Sequence, residues 1–94
     1  MPIIRGWEWD DANLEELAEH GLTPRVVRQV GDEAPSFRRN KKGRAATHQM
    51  IGPDHGGSMW MVCIVRLPGS DDIWRAITGH DANEVEIEWY RRSR

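Results

Sequence analysis

Residues 58–67 carry apolar side chains on both faces of what has to be a β-strand. Met59, Met61, Cys63 and Val65 fall on one side of the alternation, and Trp60, Val62 and Ile64 fall on the other. Such a strand needs cover above and below, so it belongs at the centre of a sheet with layers on both sides. The chain has 94 residues, enough for one core and little else.

The flanking segments supply the cover. Residues 3–9 are rich in strand formers and run into Asp10-Asp11, a helix start. From Asp11, Leu14, Leu17 and Ala18 recur at helical spacing opposite Glu15, Glu16 and Glu19, and Gly21 suits a helix end. Thr23 as N-cap and Pro24 at the first helical position open a second helix, with Val26, Val27 and Val30 as its apolar face and Gly31 as its stop. Residues 34–37 read as a short strand, 38–43 as a flexible basic loop and 44–51 as a further strand. After the Pro68-Gly69 turn, residues 73–79 form the last strand. The strands beginning at residues 44, 58 and 73 make an antiparallel meander.

A closing helix is expected from about Asp81 to Arg92, with Asp81 and Glu84 as a capping box and Ala82, Val85 and Trp89 as the packing stripe. The expected fold is therefore α+β, a single domain over residues 1–94. Its antiparallel sheet carries two N-terminal helices and one C-terminal helix in the order β-α-α-β-β-β-β-α.

Composition narrows the function classes. Cys63 is the single cysteine, so no internal disulfide framework exists, which suits a reducing cytoplasm. The longest apolar run, residues 59–65, is too short to cross a bilayer, and the N-terminus lacks the basic start and apolar block of a secretory signal. Net charge is −2, but residues 1–37 hold three basic and eight acidic side chains, whereas residues 38–44 hold five basic and no acidic ones. Any grip on nucleic acid must therefore be local.

Several short words resemble the BrnT family of bacterial toxins, whose fold belongs with the RelE-like ribonuclease toxins. They are Trp7-Glu8-Trp9-Asp10, Asn13, and Glu19-His20-Gly21-Leu22-Thr23 at the helix joint. Met50-Ile51-Gly52, residues 76–84 and Trp89-Tyr90 complete the set. The resemblance implies an endoribonuclease-like toxin held silent by a cognate antitoxin protein, with RNA as substrate and no cofactor. The family's arginine at the end of the last strand falls on His80 in this sequence.

Metal-independent RNA cleavage needs a base for the ribose 2′-OH, an acid for the leaving oxygen and a cation at the phosphate. His80 as base, His48 as acid, and Arg44 and Arg75 on the phosphate are the candidate catalytic set. Arg44 and His48, four apart, share a face of their expected strand, whereas strict alternation puts Arg75 and His80 on opposite faces. Arg38, Arg39, Lys41 and Lys42 are candidates to track an RNA backbone. Trp74, beside Arg75, is the candidate stacking platform, and Trp7, Trp9, Trp60 and Trp89 read as core.

The plainer reading makes His48 and His80 hydrogen-bonded or surface residues, His20 a helix C-cap, His55 a solvated turn residue, Cys63 an inert hydrophobe and the basic run a solvated loop. No metal site is expected, since the histidines lack short regular ligand spacing. Against the toxin stands a non-catalytic protein-binding module on the same scaffold, suggested by the acidic balance and by His80 in the arginine's place. Homo-oligomerisation stays open. A small-molecule enzyme has no phosphate loop, paired carboxylates or nucleophile motif to support it.

Overall fold

The computed structural model describes residues 2–94. Its elements are β1 (Gly6–Trp7), α1 (Asp11–Glu19), α2 (Pro24–Asp32), β2 (Ser36–Arg39), β3 (His48–Pro53), β4 (Met59–Arg66), β5 (Ile73–Asp81) and α3 (Glu84–Arg92). The fold is α+β in the expected order. Among the described residues, no helix is long and apolar enough to cross a membrane.

The five strands lie in the order β1-β5-β4-β3-β2. β2 to β5 are successive antiparallel neighbours. The sheet is mixed rather than wholly antiparallel, because β1 joins β5 in parallel through Gly6↔Ile73 and Trp7↔Trp74. No hairpin links β1 to β5, so no turn dictates an antiparallel approach.

β4 sits at the centre of this sheet and divides two apolar clusters. Trp60, Val62 and Ile64 join Leu17, Val27 and Val30 from the paired N-terminal helices and Leu22 from the joint between them. Met61 and Cys63 join Ala46 and Ile51, with Trp89 and Tyr90 of α3 packed against them. Each fully buried aliphatic side chain contributes about 1.5–3 kcal/mol relative to exposure.

Local chemistry fixes the helix ends. The Asp10 carboxylate accepts the Asn13 N–H at 2.8 Å, and the Thr23 hydroxyl accepts the Val26 N–H at 3.2 Å with Pro24 opening α2. Between these helices Gly21 takes a positive φ of 79°. Leu22 then drops onto β5 so closely that a Cβ on Gly79 would lie 2.6 Å from both its Cδ1 and the Met61 carbonyl oxygen.

Several expected boundaries move. β3 starts at His48, so Arg44 lies in the preceding loop and shares no strand face with His48. Arg38 and Arg39 belong to β2 and not to a flexible loop. Gly31 lies within α2, which runs on to Asp32. β5 keeps pairing through His80↔Met61 and Asp81↔Trp60, which delays α3 to Glu84. The N-cap is therefore Asn83, and its capping-box partner is Glu86. The later start rotates the helix: Val85 points outward at 72% exposure, while Glu86 turns inward at 7%.

A β-bulge changes the phase of β5. Cys63 faces Thr78 but Ile64 faces Ala76, leaving Ile77 as the extra residue. Arg75 and His80 then oppose Val65 and Met61, both odd-numbered residues of β4, so the register gives them one face and not two.

Two substitutions and one titration test this packing. Gly79→Ala lacks room for its methyl against backbone, and a urea melt should show a loss of about 1–3 kcal/mol or more. Two carboxylates sit below their ordinary pKa of 3.8: Asp10 through the Asn13 N–H and then Arg75, and Asp54 through the Trp60 indole N–H and loop amides. The native state therefore binds fewer protons than the unfolded chain as both titrate, so their stabilisation is present above about pH 4 and fades as pH falls. Asp54→Asn should flatten the acid limb of a stability–pH curve.

Candidate functional site

α3 leaves part of its side of the sheet open. Nine residues of helix span about 14 Å, whereas the eight residues of β4 span about 26 Å, and α3 rests against β3. What remains is a cleft of about 450 Å³ over β4 and β5. Met61, Cys63 and Ile77 line it together with Gln49, Thr78 and His80, and the loop before β3 adds Lys41 and Arg44.

His80 is the titratable group of this cleft with the clearest orientation. Its Nε2 stands 3.0 Å and 3.1 Å from the two carboxylate oxygens of Glu86. Oε1 of Glu86 also accepts the Asn83 N–H at 2.9 Å, and the Asn83 side chain accepts the Glu86 N–H at 2.8 Å. The capping box thus holds the carboxylate, and the carboxylate holds the imidazole. An ionised carboxylate only accepts, so Nε2 bears the hydrogen and Nδ1 is the free nitrogen of a neutral ring. Nδ1 has no hydrogen-bond partner among the described residues.

The loop carrying the cations is braced at its base. Arg38 stacks over Trp89 at 4.9 Å from the ring centroid and donates from Nε to Gln49 at 2.7 Å. Gln49 donates to the Asn40 side-chain oxygen at 2.9 Å, and Asn40 donates to the Ala46 carbonyl at 3.0 Å. This series fastens both ends of residues 40–46. Lys41, Lys42 and Arg44 are exposed, and among the described residues none has a carboxylate within salt-bridge distance. Arg38 is accordingly a brace in the structure, occupied by Trp89 and Gln49, and not a free cation for an RNA backbone.

The other expected residues do not converge here. His48 faces Ile64 and lies with the α1–α2 side of the sheet, whereas His80 faces Met61 on the α3 side. The two histidines cannot serve one phosphate. His48 stands edge-on to Trp74 at 5.5 Å, and its Nδ1 lies 2.8 Å from the Thr47 hydroxyl. Burial first, and then Arg39, holds its pKa below the ordinary 6.5, which favours neutral imidazole and opposes the acid role.

Trp74 is 4% exposed, with its indole N–H on the Ile3 carbonyl at 2.9 Å, so it is core and offers no open ring for a base. Arg75 shares the register face of His80, but it is clamped by Glu8 at 3.1 Å and by Asp10. It ties β5 to the β1–α1 junction. Arg39 is exposed at the opposite edge of the sheet and lines a separate cleft with His48.

Burial raises the Cys63 thiol pKa, with Glu86 adding to the shift, so the thiolate is disfavoured. His20 occupies the C-cap of α1 with its ring on Glu16 at 3.0 Å, and His55 pairs with Glu33 at 3.4 Å. Among the described residues, no three His, Cys, Asp or Glu side chains gather to hold a metal ion.

Sequence reasoning missed Glu86 and the Asn40–Gln49–Arg38 brace. The Asn83-x-x-Glu86 spacing was the available signal for the first; cross-strand contacts of the second kind have none. No protein-family model matches the chain, and no curated protein does.

In an NMR titration the His48 ring should change charge below its ordinary pH. Arg39→Ala should move that midpoint up only part of the way, because burial, the larger cause, remains.

Proposed function

We propose that this chain is an endoribonuclease-like toxin of a toxin–antitoxin pair, acting on RNA in the cleft of His80. The observation that carries the reading is the Glu86-held imidazole sharing one cleft with Lys41 and Arg44. Nδ1 of His80 takes the proton of a ribose 2′-OH, and the 2′-oxygen attacks the adjacent phosphorus. The P–O5′ bond breaks, the 5′-oxygen is protonated from water, and a 2′,3′-cyclic phosphate remains. Lys41 and Arg44 meet the charge that builds on the phosphoryl oxygens. A positioned base contributes about 10²- to 10⁴-fold, and a charge-stabilising donor about 10²- to 10³-fold.

The brace supports this reading, since cations on a fastened loop lose less freedom on meeting a phosphate than cations on a mobile one. Three phosphate contacts from Lys41, Lys42 and Arg44 give a slope of about −2 in log affinity against log salt for a single strand.

One observation favours the non-catalytic module instead. With His48 on the far face and Arg75 clamped, His80 is the one histidine of the cleft among the described residues, and no second imidazole or carboxyl lines it. The module predicts tight binding to a protein partner and no cleavage.

Inducing the chain alone in bacteria should arrest growth and shorten mRNA. His80→Ala should relieve both and slow cleavage by purified protein by about 10²-fold or more, whereas His48→Ala should leave cleavage near the parent rate. Normal growth with abundant folded protein would sink the toxin reading.

A further inference from the structure

The outer edge of β2 is unpaired, and the groove beside it suits one kind of partner. Across the β2–β3 ladder Ser36 faces Ile51 and Arg38 faces Gln49, and the Asn40 N–H donates to the Thr47 carbonyl at 2.9 Å. Hydrogen-bonded and non-bonded pairs alternate along an antiparallel ladder. Ser36, Arg38 and Asn40 therefore turn their backbone groups toward β3, and Phe37 and Arg39 turn theirs outward. Among the described residues these outward groups have no backbone partner.

A groove of about 560 Å³ follows this edge. Phe37 and Arg39 line it from one face of the sheet, and Ser36, Arg38 and Arg94 from the other. It therefore runs along the edge itself. None of its described lining residues is acidic, while Arg38, Arg39 and Arg94 all reach it. Tyr90 supports Arg94 at 4.8 Å, and Arg39 has no carboxylate partner among the described residues.

We propose that the β2 edge receives an extended acidic segment of another protein, which adds to the sheet beside β2. The outward groups of Phe37 and Arg39 supply main-chain pairing, the Phe37 ring and Pro35 supply apolar contact, and Arg39 and Arg94 meet carboxylates. A second copy of this chain fits poorly, because edge-to-edge pairing would set the Arg38-Arg39 segments of the two copies against each other. The groove shares no lining residue with the His80 cleft and stands whether or not that cleft cleaves RNA.

The test uses the whole chain and fluorescein-labelled synthetic peptides in anisotropy titrations. One peptide alternates Asp and Val, a second alternates Lys and Val, and a third interrupts the acidic pattern with proline. The acidic peptide should bind about tenfold or more tightly than either control. Arg39→Gln removes only the charge, whereas Arg39→Pro also removes the outward N–H and spares the β3 ladder, as edge prolines do. Both variants should stay folded by circular dichroism, with Arg39→Pro weakening binding further than Arg39→Gln. In NMR spectra of the parent chain, the Phe37 and Arg39 amides should shift on binding.

Equal affinity for the acidic and basic peptides, or equal effects of the two variants, would overturn the proposal. So would a dimer of the free chain that Arg39→Pro dissolves, because the edge would then belong to a second copy.

Discussion

Everything in this molecule depends on hiding β4 from water on both sides. Its even-numbered residues need the N-terminal helix pair, and its odd-numbered ones need α3 and the strand residues around it. The two demands are met unequally. α1 and α2 together close their side, with Leu22 pressed onto Gly79, whereas α3 is a single short helix that closes only the β3 half of its own side. The His80 cleft is the part of the sheet left over from that inequality. A cleft thus arises from a shortage of helix, with no separate element devoted to it.

The carboxylates decide which cations are free. Glu8 and Asp10 occupy Arg75, Glu86 occupies one nitrogen of His80, and an aromatic ring with a glutamine occupies Arg38. Among the exposed cations, Lys41, Lys42 and Arg44 gather in the loop between β2 and β3, and Arg39 and Arg94 along the β2 edge. A chain of negative net charge can therefore present two local basic surfaces, because none of its acidic side chains falls between residues 34 and 53.

The sheet centre, the helix caps at Thr23-Pro24 and Asp10, and the element order were all legible in the sequence, because each rests on contacts within a few residues or on simple alternation. What was not legible depends on register. Whether β5 stops at Gly79 or runs to Asp81 is settled by pairing with β4, and that moved the start of α3, exposed Val85 and buried Glu86. Arg44 and His48 share an even spacing, yet the strand does not begin until His48, so the spacing carried no facial meaning. Trp74 beside an arginine looked like a stacking platform, but the Ile3 carbonyl and the α1–α2 core claim it. Of the candidate residues, His80, Arg44 and Lys41 line one cleft, whereas contacts between segments far apart in the chain hold His48 and Arg75 elsewhere.

The inserted residue at Ile77 gives β5 two phases, one before it and one after. Upstream, alternation delivers Trp74 and Ala76 to the helix-pair side; downstream, the same side receives Gly79, which leaves His80 to the cleft. The strand behaves as a ruler with one offset mark. The same residues paired in strict alternation, with none left over, would still read as a strand. The imidazole, however, would then turn to the helix-pair side of the sheet, away from the cleft. The one unpaired residue therefore shapes the cleft as much as the identity of the side chains on either side of it.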